Sequence, residues 1–269
     1  MHVLRSNCAQ LANGRAFGAL AAAIRSLFAN NEKGVWYDPS DFSTMFQDAA
    51  GTTPVTAVGQ PVGRILDKSG RGNHATQATA TSRPTLQQDS GGRYYLLFDG
   101  VDDWLQTVSI DFTSTDKMTV VAGVRKLSSS IQAVVELSNV VNSSNGSFAI
   151  LANTSTNTTV LRYRAIGTPS VFGDVSHSLA DSVSAVLTGS LDFSQITQSL
   201  RLNGGSVATS STNTGVDNFG NYPLYIGRRG GSLLPFNGRI YSLIVRGAQS
   251  SQSQIEASES YVNKKTGAY

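Results

Sequence analysis

Two hydrophobic rhythms divide the chain near residue 34. Before it, Phe17, Leu20, Ile24, Leu27 and Phe28 recur at spacings of three, four and one. These positions share one face of a helix of 3.6 residues per turn. Ala19 and Ala21 to Ala23 favour that helix, and Asn30, Asn31 and Gly34 supply stop signals. Residues 1–33 therefore read as a helical segment. A helix apolar on one side has to bury that side somewhere. Two destinations are open: the chain's own core, or a neighbouring subunit or second copy. The second makes residues 1–33 an anchoring segment, with Phe17, Leu20, Ile24, Leu27 and Phe28 as its contact residues.

From residue 34 onward the period is two. Met118, Val120, Ala122 and Val124 alternate with Thr119, Val121, Gly123 and Arg125. Leu161, Tyr163 and Ala165 alternate with Arg162 and Arg164. The same rhythm predicts strands through Val183, Ala185 and Leu187, through Ile196, Leu200 and Leu202, and through Tyr241, Leu243 and Val245. Turn signals separate them, including Asp99-Gly100, Asn145-Gly146, Asn203-Gly204 and Asn237-Gly238. Residues 138–159, rich in Ser, Asn and Thr, read as a hairpin with long polar loops. In the strand launched by Asn237-Gly238, Ile240 and Ile244 are expected on one side. A short helix is expected from about Ser250 to Lys264, with Ile255 and Val262 facing inward. Many short strands and little helix predict an all-β sandwich over residues 34–269.

The 40% apolar content of the 269-residue chain is enough for a core, and charged residues make up only 14%. Ser, Thr, Asn, Gln and Gly take the place of the missing charge, which suits sheet faces and turns. The net charge of +3, with no Lys/Arg run, argues against nucleic acid as the main partner. Cys8 is the single cysteine, so neither an internal disulfide nor a cysteine metal cluster is available. No stretch of about 20 apolar residues predicts a membrane span. Residues 16–24 are too short and too weakly apolar, between Arg15 and Arg25, to read as a signal peptide.

Three segments, in order, carry a family pattern. They are Leu66-Asp67-Lys68-Ser69-Gly70-Arg71-Gly72-Asn73-His74, then Tyr95-Leu96-Leu97-Phe98-Asp99-Gly100, then Leu224-Tyr225-Ile226-Gly227 with Asn237-Gly238-Arg239-Ile240 and the tail from Ser250. Together they resemble the laminin-G-like, concanavalin A-like jelly-roll domains over roughly residues 35–265. The resemblance implies a jelly-roll sandwich of two antiparallel sheets. The stretch Gly34–Gly63, with Trp36-Tyr37-Asp38-Pro39, is similar to the entry segment of such domains in bacteriophage and prophage structural proteins. That implies a virion component (tail, fibre or head decoration), a homo-oligomer held to other virion proteins by the N-terminal helix, with a host-surface glycan as a further partner.

The candidates for chemistry are few. Asp99, Asp102 and Asp103 fall within five positions and offer carboxylates to Ca²⁺, the only cofactor the sequence suggests; the alternative is that they cap a turn in water. Glycoside hydrolases of this fold need two carboxylates, about 5–5.5 Å apart for retention or about 6.5–9.5 Å for inversion. The chain has four glutamates, Glu32, Glu136, Glu256 and Glu259. Only Glu136 lies in a strand-like stretch, and its neighbours two and four positions away carry no acid. No catalytic residue is expected, and the chain reads as a non-enzyme. Sugars stack their C–H faces on aromatic rings, which makes Trp36, Trp104, Tyr163 and Tyr225 the glycan-binding candidates. The competing reading places each of these rings in the core.

Overall fold

The computed structural model describes residues 18–140, 143–169, 171–230 and 233–269. A helix, α1, covers residues 18–26, and a second, α2, covers Gln252–Thr266. In chain order the strands are β1 (Gly34–Tyr37), β2 (Met45–Phe46), β3 (Arg64–Ile65), β4 (Ala75–Thr76), β5 (Thr85–Gln88), β6 (Tyr94–Asp99), β7 (Leu105–Gln106), β8 (Ile110–Asp111), β9 (Lys117–Lys126), β10 (Gln132–Leu137), β11 (Ser147–Ala152), β12 (Val160–Ile166), β13 (Phe172–Ser178), β14 (Ser184–Asp192), β15 (Thr197–Leu202), β16 (Val207–Ser210), β17 (Asn221–Tyr222), β18 (Leu224–Ile226) and β19 (Asn237–Arg246).

They form two large antiparallel sheets. The first runs β16-β15-β14-β9-β19-β6-β5, with β1 continuing the β6 edge along the second half of β19. The second runs β13-β12-β11-β10-β18-β7-β4-β3-β2. Strands β8 and β17 make a separate ribbon. The inward side chains of both sheets merge into one core. It holds Met118, Val120, Ala122 and Val124 from β9, Leu161, Tyr163 and Ala165 from β12, and Ala185 and Leu187 from β14. This is the two-layer solution open to sheets with one apolar face.

Three details depart from the alternation. Val183 is exposed, just before β14, and Ile196 sits at φ 51° in the turn between β14 and β15, so neither joins Leu200 and Leu202 inside. In β19 a bulge between Ile240 and Ser242 inserts one residue. A bulge reverses the side-chain alternation beyond it. Ile240, Leu243 and Val245 therefore face the core, whereas Ile244 faces the opposite side, and the expected pairing of Ile240 with Ile244 on one side fails.

The outer face of the first sheet is apolar, and the helices cover it. Ile24, Leu27 and Phe28 pack with Trp36, Val121, Val186 and Ile244 from the sheet and with Tyr261 and Val262 from α2, and Leu20 packs partly against this cluster. Arg246 fixes the end of this segment, donating from Nε to the Leu27 carbonyl at 2.8 Å and pairing through Nη2 with Glu32 at 2.7 Å. Of the stripe, Ile24, Leu27 and Phe28 are thus buried on the chain's own sheet, and Leu20 is half-buried. This corrects the anchoring assignment: a partner would have to strip the helix from Val121, Val186 and Ile244 to reach it. Phe17 lies outside the described residues. Among the described residues no helix is long and apolar enough to cross a membrane.

Helix α2 starts at a capping box, Ser251 with Gln254, and ends at Gly267 in the left-handed conformation. Besides the expected Val262, it buries Ser258, Glu259, Tyr261 and Thr266, while Ile255 is half-buried. Gly123 lets α2 approach, because a Cβ there would lie 2.1 Å from Thr266 Oγ1. Asp38 ties α2 to β1, accepting from Tyr261 Oη and pairing with Lys68 and Lys265. Burial alone would raise the Asp38 carboxyl, but these two lysines and the tyrosine hydroxyl outweigh it and hold the carboxyl below its ordinary value.

Candidate functional site

The four aromatic candidates separate into two pairs. Trp36 is 0% exposed, edge-on to Tyr261 in the cluster beneath the helices. Tyr163 is also 0% exposed, between the sheets against Phe148 and Gly189. Neither ring can meet a sugar, which corrects both assignments. A large aromatic on a two-residue rhythm is placed inward by the same force that makes the core.

Trp104 and Tyr225 are half-buried and lie side by side, 121 positions apart in the chain, with ring centroids 5.9 Å apart and planes tilted by 34°. The pairing of β7 with β18 brings them together, with Tyr225 opposite Gln106 and Leu105 opposite Ile226. Thr107 locks that register, its N–H donating to the Leu224 carbonyl at 3.1 Å and its hydroxyl accepting from Leu224 N–H at 3.0 Å. Trp104 is held by its own backbone, donating to the Ser82 carbonyl at 3.1 Å and accepting from Gln77 Nε2 at 3.2 Å. The guanidinium of Arg228 stands over the Trp104 ring at 5.4 Å, bringing a fork of N–H donors onto the same patch.

Registers across the second sheet place a polar row beside the two rings. Thr76, Gln106, Tyr225, Glu136, Ala149, Arg164 and Asp174 stand opposite one another on successive strands. Arg164 binds Asp174 through Nε at 2.7 Å and Nη2 at 2.7 Å, and Arg162 joins the same carboxylate at 3.0 Å. Burial would raise the Asp174 carboxyl, but the two arginines hold it below its ordinary value. Glu136 is 1% exposed and accepts from Arg229 Nε at 3.2 Å, from Gly230 N–H at 3.2 Å and from Ser138 Oγ at 2.6 Å. This carboxylate fixes the 228–230 loop that carries Arg228 over Trp104. Gly227 starts the loop at φ 81°, where a Cβ would lie 2.2 Å from Phe98.

The glutamates are all engaged in other work. Glu32 pairs with Arg246 and Glu136 with Arg229, Glu259 binds Arg201 and Thr188, and Glu256 accepts from Gln252 on the surface of α2. Across the strands Glu136 faces Tyr225 and Ala149, so no second carboxylate adjoins it there.

Asp99, Asp102 and Asp103 do come together, with carboxylate oxygens within 4.8 Å of one another. Their turn supplies donors: Asp99 Oδ1 accepts from Val101 N–H at 2.8 Å, Asp103 Oδ2 from Asp99 N–H at 3.1 Å, and Asp102 Oδ2 from Ser82 Oγ at 2.7 Å. Burial, reinforced by the neighbouring Asp99 charge, pushes the Asp103 carboxyl up to about 6. The turn thus caps itself through its own N–H groups.

The motif Asp67 to Asn73 is structural. Its Asp67 carboxylate accepts from Trp36 N–H at 2.9 Å, Ser69 N–H at 2.9 Å, Ser69 Oγ at 2.7 Å and Asn73 N–H at 3.1 Å, while His74 Nδ1 accepts from Asp67 N–H at 3.0 Å.

No protein-family model and no curated protein matches the chain. Solved structures do. The receptor binding domain of the botulinum neurotoxin C/D mosaic serotype aligns with a TM-score of 0.57 at 7% identity, covering 86% of this chain and 51% of its own. The serotype G binding domain aligns at 0.55 and 11% identity, covering 74% and 48%. The serotype D ligand binding domain, in complex with N-acetylneuraminic acid, aligns at 0.55 and 7% identity, covering 73% and 48%. The chain thus spans about half the length of these structures. At such identities the likeness shows the fold alone, a jelly-roll β-sandwich of two antiparallel sheets.

Proposed function

We propose that this chain is a non-catalytic glycan-binding module, displayed on a bacteriophage particle and used to attach to a host surface. The observation that carries the binding role is the Trp104–Tyr225 pair, two adjoining half-buried rings on the outer face of the second sheet with Arg228 above them. Aromatic faces take the apolar side of a pyranose, and Arg228 and Gln106 are at hand for its hydroxyls. Large aromatics and arginine at one surface point are the composition of binding hot spots. Of the structures of similar fold, one is described as a receptor binding domain and another as a ligand binding domain in complex with N-acetylneuraminic acid, which supports a saccharide as the ligand class. The ion pair that holds Glu136, and the absence of an acid opposite it, support binding without cleavage.

The virion setting rests on the Gly34–Gly63 entry segment and on the low charge of the chain. With the apolar stripe of α1 buried, attachment to other virion proteins and any homo-oligomer would use other surfaces. Immunogold labelling of phage particles with an antibody to this chain tests the setting, and unlabelled particles would overturn it. A bacterial polysaccharide array tests the binding role. The full chain is expected to bind a discrete set of glycans and Trp104→Ala to lose them. A folded chain that binds none would leave a purely structural role.

A further inference from the structure

The outer face of the first sheet is not wholly covered by its helices. Beyond the end of α2 it opens into a cavity of about 650 Å³, within the span of about 300–1,000 Å³ usual for small-molecule clefts. The β5–β6 turn forms one rim, and Arg93, Arg125, Arg239, Tyr95, Ser184 and Asp89 contribute to the lining.

The registers explain the convergence. Arg239 stands directly opposite Arg125 on β9, and Arg125 directly opposite Ser184 on β14. Arg93 follows the β5–β6 turn, and its guanidinium lies against Gly267, where a Cβ would sit 2.3 Å from Arg93 Cζ. The Tyr95 ring lies under the Arg239 guanidinium at 4.5 Å.

Like charges opposite each other on neighbouring strands are destabilising. Arg162 and Arg164, by contrast, share the Asp174 carboxylate. Among the described residues no carboxylate pairs with Arg93, Arg125 or Arg239. The Nε atoms of Arg125 and Arg239 are buried without a partner. The one acid in the lining, Asp89, faces its own turn, accepting from Gly91 N–H at 2.8 Å and from Arg93 N–H at 2.9 Å. Guanidinium forks match planar and tetrahedral oxyanions through paired N–H donors.

We infer that this cavity is a binding site for the oxyanion of a small ligand, a carboxylate or sulfate such as an acidic sugar carries, gripped by Arg125 and Arg239 with Arg93 at the rim. The site is independent of the Trp104–Tyr225 surface, which lies on the other sheet.

The test is calorimetric titration and thermal unfolding of the full chain with sodium sulfate, glucuronic acid and neutral glucose, at ionic strength matched with chloride. Sulfate or glucuronate is expected to bind saturably and raise Tm. Tighter binding of glucuronate makes the anion part of a sugar, and equal binding makes it a free ion. Arg125→Gln with Arg239→Gln should weaken binding at least tenfold. Arg239→Lys, which keeps the charge but not the fork, provides a second, milder variant and should also weaken it. Trp104→Ala should leave this binding unchanged. No response beyond the chloride control, binding of glucose alone, or equal binding by the double variant would overturn the inference.

Discussion

Replacing Glu136 by Gln probes the stability of the second sheet and the shape of its binding surface together. The side chain is 1% exposed, and its two oxygens take donors from Arg229, Gly230 and Ser138. Glutamine keeps the shape but replaces one acceptor with an NH₂ group, so a donor then faces a donor. It also leaves the Arg229 guanidinium, 12% exposed, without its carboxylate. Breaking one side of a buried ion pair costs about 3–5 kcal/mol; the low end, about 3 kcal/mol, applies because Arg229 can turn toward water. With an unfolding entropy of about 0.6 kcal/mol/K for a chain of this length, Tm should fall by about 5 °C. Urea unfolding followed by circular dichroism should show a lower midpoint with an unchanged slope. Because the freed 228–230 loop no longer holds Arg228 over Trp104, glycan affinity should fall as well. A destabilisation below about 1 kcal/mol together with unaltered glycan binding would refute both the stabilising role of this carboxylate and its hold on the loop.

Two further outcomes follow from single residues. Asp67→Ala removes the acceptor for four hydrogen bonds, including the buried Trp36 N–H, and should cost about 3 kcal/mol in urea unfolding, with Asp67→Asn costing less. Asp103, raised to about 6 in the folded state, holds its proton more tightly there than in the unfolded chain, so stability should fall as pH rises from about 4 to about 6 and level off above; Asp103→Asn should flatten that part of the profile and stabilise the protein at pH 7.

The sandwich was legible because alternation is a local signal. Met118, Val120, Ala122 and Val124 point inward as their spacing requires. The same reasoning failed at Ile244, because a bulge between Ile240 and Ser242 depends on pairing with β9 and leaves no mark in a single strand. The α1 stripe was equally legible as a stripe. Its destination was not, since the apolar patch that receives it is assembled from Val121, Val186 and Ile244 on three different strands. Among the aromatic candidates, residue type alone did not separate Trp36 and Tyr163, which fill the interior, from Trp104 and Tyr225, which the β7–β18 pairing sets side by side at the surface. Arg125 and Arg239 carry no sequence signal for a related reason: each is an ordinary polar position in its own strand, and only the β9–β19 register makes them face one another.

The chain has two tryptophans, and Trp36 is sealed beneath the helices, so only Trp104 can report directly on a ligand at the surface. A fluorescence titration of the full chain with a polysaccharide it captures therefore tests the glycan platform at its centre. The account predicts a saturable change in emission, with Tyr225→Ala weakening the affinity at least tenfold, about 1.4 kcal/mol. Saturable glycan binding that leaves the emission unchanged, at an affinity indifferent to Tyr225→Ala, would contradict it.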